Sequence, residues 1–238
     1  MNKEAANTKR IPFFKMSGSG NDFILIDNRR QDFEDSQLNR FIVNVCRRKL
    51  SAGADGLILI ESSTMADFKW RFYNSDGSRA EMCGNGARCA ARYAFVNGIA
   101  GPELTFETDV GIVSASIVAD RVKVGMTDPS EVTPNIMLDL VAGSRQMAAI
   151  NTGVPHVVLE VPDLETTDVC GIGREIRYHQ RFAPAGSNVN FITSLAEDTI
   201  AVRTYERGVE NETLACGTGS IAAALVKAAR HGTGSPIH

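Results

Sequence analysis

Residues 72–86 and 205–219 carry one pattern twice, at an offset that takes Cys83 to Cys216, 133 positions on. Phe72-Tyr73-Asn74 is followed nine residues later by Cys83-Gly84-Asn85-Gly86, and Tyr205-Glu206-Arg207 nine residues later by Cys216-Gly217-Thr218-Gly219. Each turn opens onto a run of small helix-forming residues, 87–95 in the first copy and 220–229 in the second. The same offset maps Tyr73 onto Glu206, Asn74 onto Arg207 and Gly20 onto Gly153, and both of these glycines lead into apolar strands at 23–26 and 157–159. Correspondences in this order indicate a duplicated supersecondary unit. The chain is therefore restricted to two similar halves. One thiol per half, at equivalent places, suggests a site between the halves with a thiol on either side. A carbon losing its proton on one face and regaining it on the other needs such an arrangement.

The remaining pattern is that of many short strands around few helices. Alternation predicts strands at 57–60, 70–73, 104–106, 113–118 and 122–124 in the first half, and at 156–161, 189–192 and 200–205 in the second. A helix is expected over 38–50, with Leu38, Phe41, Ile42, Val45 and Cys46 on one stripe and Gly53 past its end. The helices after Gly86 and Gly219 are stopped by Gly98 and Gly232. This is an α+β pattern, not a βαβ alternation. It predicts two pseudo-symmetric domains, each a mixed or antiparallel sheet wrapped around a central helix, with the active site in the cleft. The expected parts are a disordered tail (1–10), an N-terminal lobe (11–130) and a C-terminal lobe (131–238). The join is expected within 127–146, where Pro129 and Pro134 punctuate the chain. The first half continues through 105–124 after its helix, whereas the second stops six residues after Gly232, so its closing strands are expected to be missing by truncation.

Composition narrows the class of function. With 43% hydrophobic and 22% charged residues and a net charge of −3, the chain has no basic stripe for nucleic acid or an acidic membrane. No apolar run approaches the ~18 residues of a membrane span, and the polar start has no secretory core. A cytoplasmic protein with a small-molecule partner is expected, and the sequence leaves room for a homodimer. The five cysteines are few and odd in number, without Cys-x-x-Cys spacing, and the four histidines show no metal pattern. Reduced thiols and no metal are expected.

A cysteine just ahead of a helix gains from the helix N-terminus, which favours the thiolate. The glycine turns also suit an anion, so a substrate α-carboxylate has a place at each helix start, where negative charge gathers as the α-carbon loses its proton. No cofactor is needed for that chemistry, and neither a Gly-x-Gly-x-x-Gly nucleotide loop after a strand nor a pyridoxal lysine context is found. A lone cysteine before a helix is ordinarily a small buried residue. The matched pair is what favours catalysis at Cys83 and Cys216. Cys46, Cys89 and Cys170 are expected only to pack. The stretch 74–78 reads equally as a turn, and Glu206 beside Arg207 as a surface pair.

These residues also resemble a known family. Asn74-Ser75-Asp76-Gly77-Ser78 followed by Cys83-Gly84-Asn85-Gly86-Ala87-Arg88 is similar to the signature of the diaminopimelate epimerases. Supporting stretches are 15–23, Gly53-Ala54-Asp55-Gly56, 151–156, 186–191, 205–208 and 215–219. The resemblance implies interconversion of LL- and meso-2,6-diaminopimelate, in lysine and peptidoglycan precursor biosynthesis, without pyridoxal phosphate or metal. It implies that Cys83 and Cys216 are the acid–base pair and that Gly84, Asn85, Gly217 and Thr218 hold the reacting carboxylate. It further implies that Asn21, Asn74, Asn151, Asn190 and Arg207 recognise the far amino-acid group. Glu206 accepts from the reacting ammonium, and with His156 tunes the thiols. Some members have a glutamine contact where this chain has Gly56. Two other readings stand beside this one: a racemase of histidine or proline type, and an inactive fragment that binds amino acids.

Overall fold

The computed structural model describes residues 10–30, 33, 35–126 and 128–238, with no side chains described for 35–37. Of the tail expected over 1–10, all but Arg10 lies outside the described residues. The chain forms two compact units that divide between Val124 and Gly125.

In the first unit the strands are β1 (Phe14–Gly18), β2 (Asn21–Asp27), β3 (Gly56–Glu61), β4 (Phe68–Asn74), β5 (Glu103–Thr108), β6 (Gly111–Val118) and β7 (Arg121–Val124). The helices are α1 (Asp35–Val45) and α2 (Gly84–Val96). The strands form one sheet in sequence order, with β2–β3 and β4–β5 parallel and the other pairs antiparallel. Both faces of β2 and β3 are covered, so they read as unbroken apolar runs. Alternation sorts their side chains. Phe23, Leu25, Ile58 and Ile60 join Trp70 and Phe72 against α2, while Ile24, Ile26, Leu57 and Leu59 join Leu38 and Ile42 of α1. Full burial of such a side chain stabilises by about 1.5–3 kcal/mol. The helix α2 buries Ala87, Ala90, Ala91 and Ala94, small enough to let the sheet approach. It touches β1 at one edge and β7 at the other, so the sheet wraps around it. The first helix is shorter than expected. The N–H groups of Gly53 and Ala54 turn back onto the carbonyls of Val45 and Cys46 at 3.0 and 3.1 Å, closing the helix there.

The second unit contains β8 (Ser130–Leu140), β9 (Gly143–Asn151), β10 (Pro155–Glu160), β11 (Asn188–Ala196), β12 (Thr199–Glu206) and β13 (Asn211–Thr213), with helices α3 (Val169–Arg177) and α4 (Gly217–His231). Its sheet runs β13-β12-β11-β10-β9-β8, with β10–β11 its parallel pair. One face packs Val157, Leu159, Phe191 and Tyr205 with α3 residues Val169 and Ile176. The other packs Ala148, Ile150, Val158 and Ile192 against Ala222, Ala223 and Val226 of α4.

The join was expected within 127–146; from Ser130 on, this stretch is the β8–β9 hairpin. Pro134 is tolerated there because β8 is an edge strand whose register shifts between Ser130 and Thr133 and again before Ile136. The duplication runs deeper than its motifs. Moved by the same offset, β1-β2-α1-β3-β4-α2 lands on β9-β10-α3-β11-β12-α4. The antiparallel, parallel, antiparallel order of strand pairing is also repeated. No described helix is long and apolar enough to cross a membrane.

Candidate active site

Each expected catalytic cysteine caps a helix in its own unit. Cys83 is the N-cap of α2, in extended conformation at φ −149° and ψ 113°, and its Sγ accepts from the Gly86 N–H at 3.5 Å. Packing is tight at Gly86, where a Cβ would come within 3.2 Å of Ile58 Cδ1. The first turn of α2 is tied to the β1–β2 turn. Asn85 Nδ2 donates to Asn21 Oδ1 at 2.7 Å, and Arg88 Nη2 donates to both Asn85 Oδ1 and Ser19 Oγ. Burial would raise the nearby Asp55 carboxyl, but the Asp22 N–H first, then Arg48 and last the Asn21 amide hold it below the usual range. Asn74, at the end of β4, donates from Nδ2 to Ser78 Oγ at 3.0 Å. It pairs in register with Gly56. A Cβ at Gly56 would lie 2.6 Å from the Phe72 ring and 2.7 Å from the Tyr73 carbonyl, so the backbone itself keeps a glutamine out of this position.

In the second unit Cys216 is the N-cap of α4, at φ −126° and ψ 108°. Its Sγ lies 3.5 Å from Thr218 Oγ1. Burial first, and then the Glu206 carboxylate, push this thiol up, while Thr218 and the N–H of Gly219 pull it down. Burial likewise raises the Glu206 carboxyl. Thr152 anchors the β9–β10 turn to the helix start through Oγ1 and the Thr218 carbonyl, at 3.1 Å. Asn151 beside it accepts from the Gly153 N–H at 3.0 Å.

His156 is 1% exposed, and its pKa is pushed down to about 3, by burial first and then by Arg207. It is therefore neutral at any ordinary pH. Asn190 Nδ2 donates to its Nδ1 at 3.0 Å, which leaves the proton on Nε2, and that atom has no hydrogen-bond partner in the protein. A buried neutral histidine with an open N–H is a donor, not a base.

Asn190, expected at the far group of the substrate, sits inside the second unit. It is fully buried, its Nδ2 also donates to the Val157 carbonyl at 3.1 Å, and its Oδ1 accepts from Thr204 Oγ1 at 3.0 Å. Its amide is engaged inside the protein, beneath the start of α4. A Cβ at Gly219 would fall 2.2 Å from Asn190 Oδ1 and 3.2 Å from Cys216 Sγ, which is why this turn needs glycine. The residue beside the Glu206–Arg207 pair is instead Asn188. Its Oδ1 accepts from the Arg207 N–H at 2.9 Å, and its Nδ2 donates to the Pro155 carbonyl at 3.1 Å. The signal for it was present, since Asn188 opens the strand in which Asn190 is only the second asparagine. Cys46 and Cys89 are buried and their thiols are pushed up to about 11, chiefly by burial. Cys170 was expected to pack, but it is exposed. The buried positions of α3 are Val169, Gly173 and Ile176, and residue 170 falls off that stripe.

The Cys216 environment gives a direct test. In a Cys83→Ala/Cys170→Ser background, the pH midpoint for iodoacetamide alkylation of Cys216 is expected above the ordinary thiol value. Adding Glu206→Gln removes a negative charge and is expected to move that midpoint to lower pH. An unmoved midpoint would show that Glu206 does not act on this sulfur.

The architecture is shared with solved structures of a racemase and an epimerase. A probable proline racemase from Agrobacterium radiobacter K84 superposes with a TM-score of 0.68 over 94% of this chain and 78% of that one, at 16% identity. A hydroxyproline epimerase from Agrobacterium vitis gives 0.67 over the same shares, at 17% identity. At these identities the likeness is one of fold. Sequence carries the assignment further. The diaminopimelate epimerase family pattern matches residues 13–132 and 148–237. The diaminopimelate epimerase of Aquifex aeolicus is 49% identical over 227 residues, covering 91% of this chain and 81% of that protein. That of Archaeoglobus fulgidus is 43% identical over 245 residues, covering 96% and 85%. The chain belongs to the diaminopimelate epimerase family.

Proposed function

We propose that the chain is an isomerase that inverts one α-carbon of 2,6-diaminopimelate, converting LL to meso and back, with Cys83 and Cys216 as its two proton-transfer groups. The observation that supports this most is the pair of cysteines capping equivalent helices of a duplicated fold, in a chain 49% identical to a diaminopimelate epimerase. Inversion requires the proton to leave one face of the carbon and arrive on the other, hence two groups. In one direction a thiolate takes the α-proton, and the C–H electron pair passes into the α-carboxylate as an enolate-like charge. The other thiol then delivers its proton to the carbon and is left as the thiolate. The reverse reaction exchanges their roles.

The remaining residues make that proton acidic enough to remove. Each unit has a helix start, at Gly84–Asn85 and at Gly217–Thr218, whose first-turn N–H groups and dipole favour a carboxylate and the negative charge that develops on it. Glu206 takes the reacting ammonium as a charge-assisted acceptor. The open Nε2–H of His156 supplies a neutral donor for a substrate oxygen. Arg207, Asn21, Asn74 and Asn151 take the far amino-acid group, whose two charges need both a cation and amides. This reading places the chemistry in lysine and peptidoglycan precursor biosynthesis.

The test is proton NMR of LL-diaminopimelate with the protein in D₂O under reducing conditions. Loss of the α-proton signal together with appearance of the meso isomer is expected. Turnover of proline or histidine with diaminopimelate untouched would replace the substrate assignment and leave the two-thiol chemistry standing.

A further inference from the structure

Arg177, the last residue of α3, was not marked by any motif, yet two motif stretches meet at it, 186–191 directly and 205–208 through Glu210. Its side chain is 14% exposed, and its Nε and Nη2 lie 3.1 and 3.0 Å from Glu210 Oε1. Its Nη1 donates to the Ala185 carbonyl at 3.2 Å, and its guanidinium lies 4.7 Å from the centre of the Tyr178 ring. It passes beside Gly186, which holds φ at +68° and where a Cβ would lie 2.6 Å from the Arg177 carbonyl oxygen, so backbone conformation and backbone contact both call for the glycine two residues before Asn188.

Glu210 gathers the other side. The oxygen that takes Arg177 also accepts the Gly208 N–H at 3.0 Å, and the second oxygen accepts from the Tyr205 hydroxyl at 3.3 Å. The N–H of Glu210 donates to the Glu206 carbonyl at 2.8 Å, closing a turn over 206–210. Glu210 holds φ at +56°, a left-handed conformation that non-glycine residues rarely adopt. Its carboxyl stays below the usual range despite burial, through the Gly208 N–H and Arg177. Arg207 Nη1 reaches the same Ala185 carbonyl at 3.4 Å. A carboxylate with this many donors fixes the turn more by geometry than by Coulomb energy, because the pair is partly exposed.

We propose that the Arg177–Glu210 pair is a positioning device that locks the 206–210 turn and thereby aims the Glu206 and Arg207 side chains at the substrate. The inference rests on the substrate reading given above. Both residues act through Glu206 and Arg207 and are positioning residues, not catalytic ones.

Two readouts on Glu210→Gln test it, with Arg177→Lys as the second variant should the first fail to fold. The first is amide hydrogen exchange, which needs no substrate. Gly208 and Glu210 amides are expected to exchange at least ~10-fold faster in Glu210→Gln, with β10 and β11 amides unchanged. The second is kinetics: KM for diaminopimelate is expected to rise about 10-fold or more, with kcat changed less, and Arg177→Lys to fall between this variant and wild type. Unchanged exchange in the turn overturns the proposal whatever the kinetics show. Faster exchange with wild-type KM and kcat overturns it as well, since the turn then does not aim anything. Wild-type protein inert on diaminopimelate would instead count against the substrate reading, while the exchange result still decides whether the pair locks the turn.

Discussion

Replacing either Cys83 or Cys216 by alanine is expected to lower epimerisation of diaminopimelate by about 10³-fold or more, equivalent to about 4 kcal/mol of transition-state stabilisation. Neither sulfur is needed to hold its helix. The sulfur of Cys216 has only weak contacts with the first turn of α4, the Thr218 hydroxyl standing 3.5 Å away, and the sulfur of Cys83 accepts a long bond from Gly86. Thermal midpoints should therefore move little. The more telling outcome is what each variant can still do. One remaining thiol can remove an α-proton from the diastereomer that presents it, exchange that proton with solvent, and return deuterium to the same face. It cannot invert the carbon. In D₂O the two alanine variants are therefore expected to label opposite diastereomers, one LL and the other meso, each without conversion. If both label the same isomer, or either keeps normal turnover, the assignment of one thiol to each proton transfer fails.

Much of this arrangement was legible in the residues because duplication leaves two independent readings of one pattern. The offset from Cys83 to Cys216 located both helix starts, and glycines at 98 and 232 marked their ends. The copy of α1 was not seen, although the same offset points to it. Helix α3 carries Gly171 and Gly173, which weaken any helical propensity, and Gly173 is there because Tyr205 lies within 2.5 Å of where its Cβ would be. Tertiary contact, not local preference, makes that segment helical. The β8–β9 hairpin was hidden for a related reason. Pro129 just before it and Pro134 within it read as punctuation, and the sheet edge with its register shifts makes Pro134 harmless. Site residues divide the same way. Which residue types stand near the chemistry is written in the motifs, but which asparagine faces inward depends on strand register. Asn188 and Asn190 lie on the same side of β11 by alternation, and the packing of α4 over residue 190, through Gly219, separates their roles.

That separation leads to the largest stability effect expected in the second unit. Asn190→Leu keeps approximate volume while removing every polar partner of a fully buried amide. It leaves the Val157 carbonyl, His156 Nδ1 and the Thr204 hydroxyl without the bonds they make at 3.0–3.1 Å. Each buried group so orphaned costs about 1–3 kcal/mol, and the network is shared, so a loss of about 3–5 kcal/mol is expected. The branched side chain also cannot reproduce the flat amide that lies under Gly219, so the start of α4 must shift and carry Cys216 with it. Urea denaturation is the measurement, and the choice of probe matters. The single tryptophan, Trp70, is in the first unit, so its fluorescence is blind to local loss in the second. Far-UV circular dichroism and amide exchange along β10 and β11 report the affected sheet. The expected result is early unfolding of that sheet with the Trp70 transition little changed, and loss of turnover even in the protein that remains folded. An unaltered exchange pattern with a raised KM would mean that Asn190 meets the substrate after all.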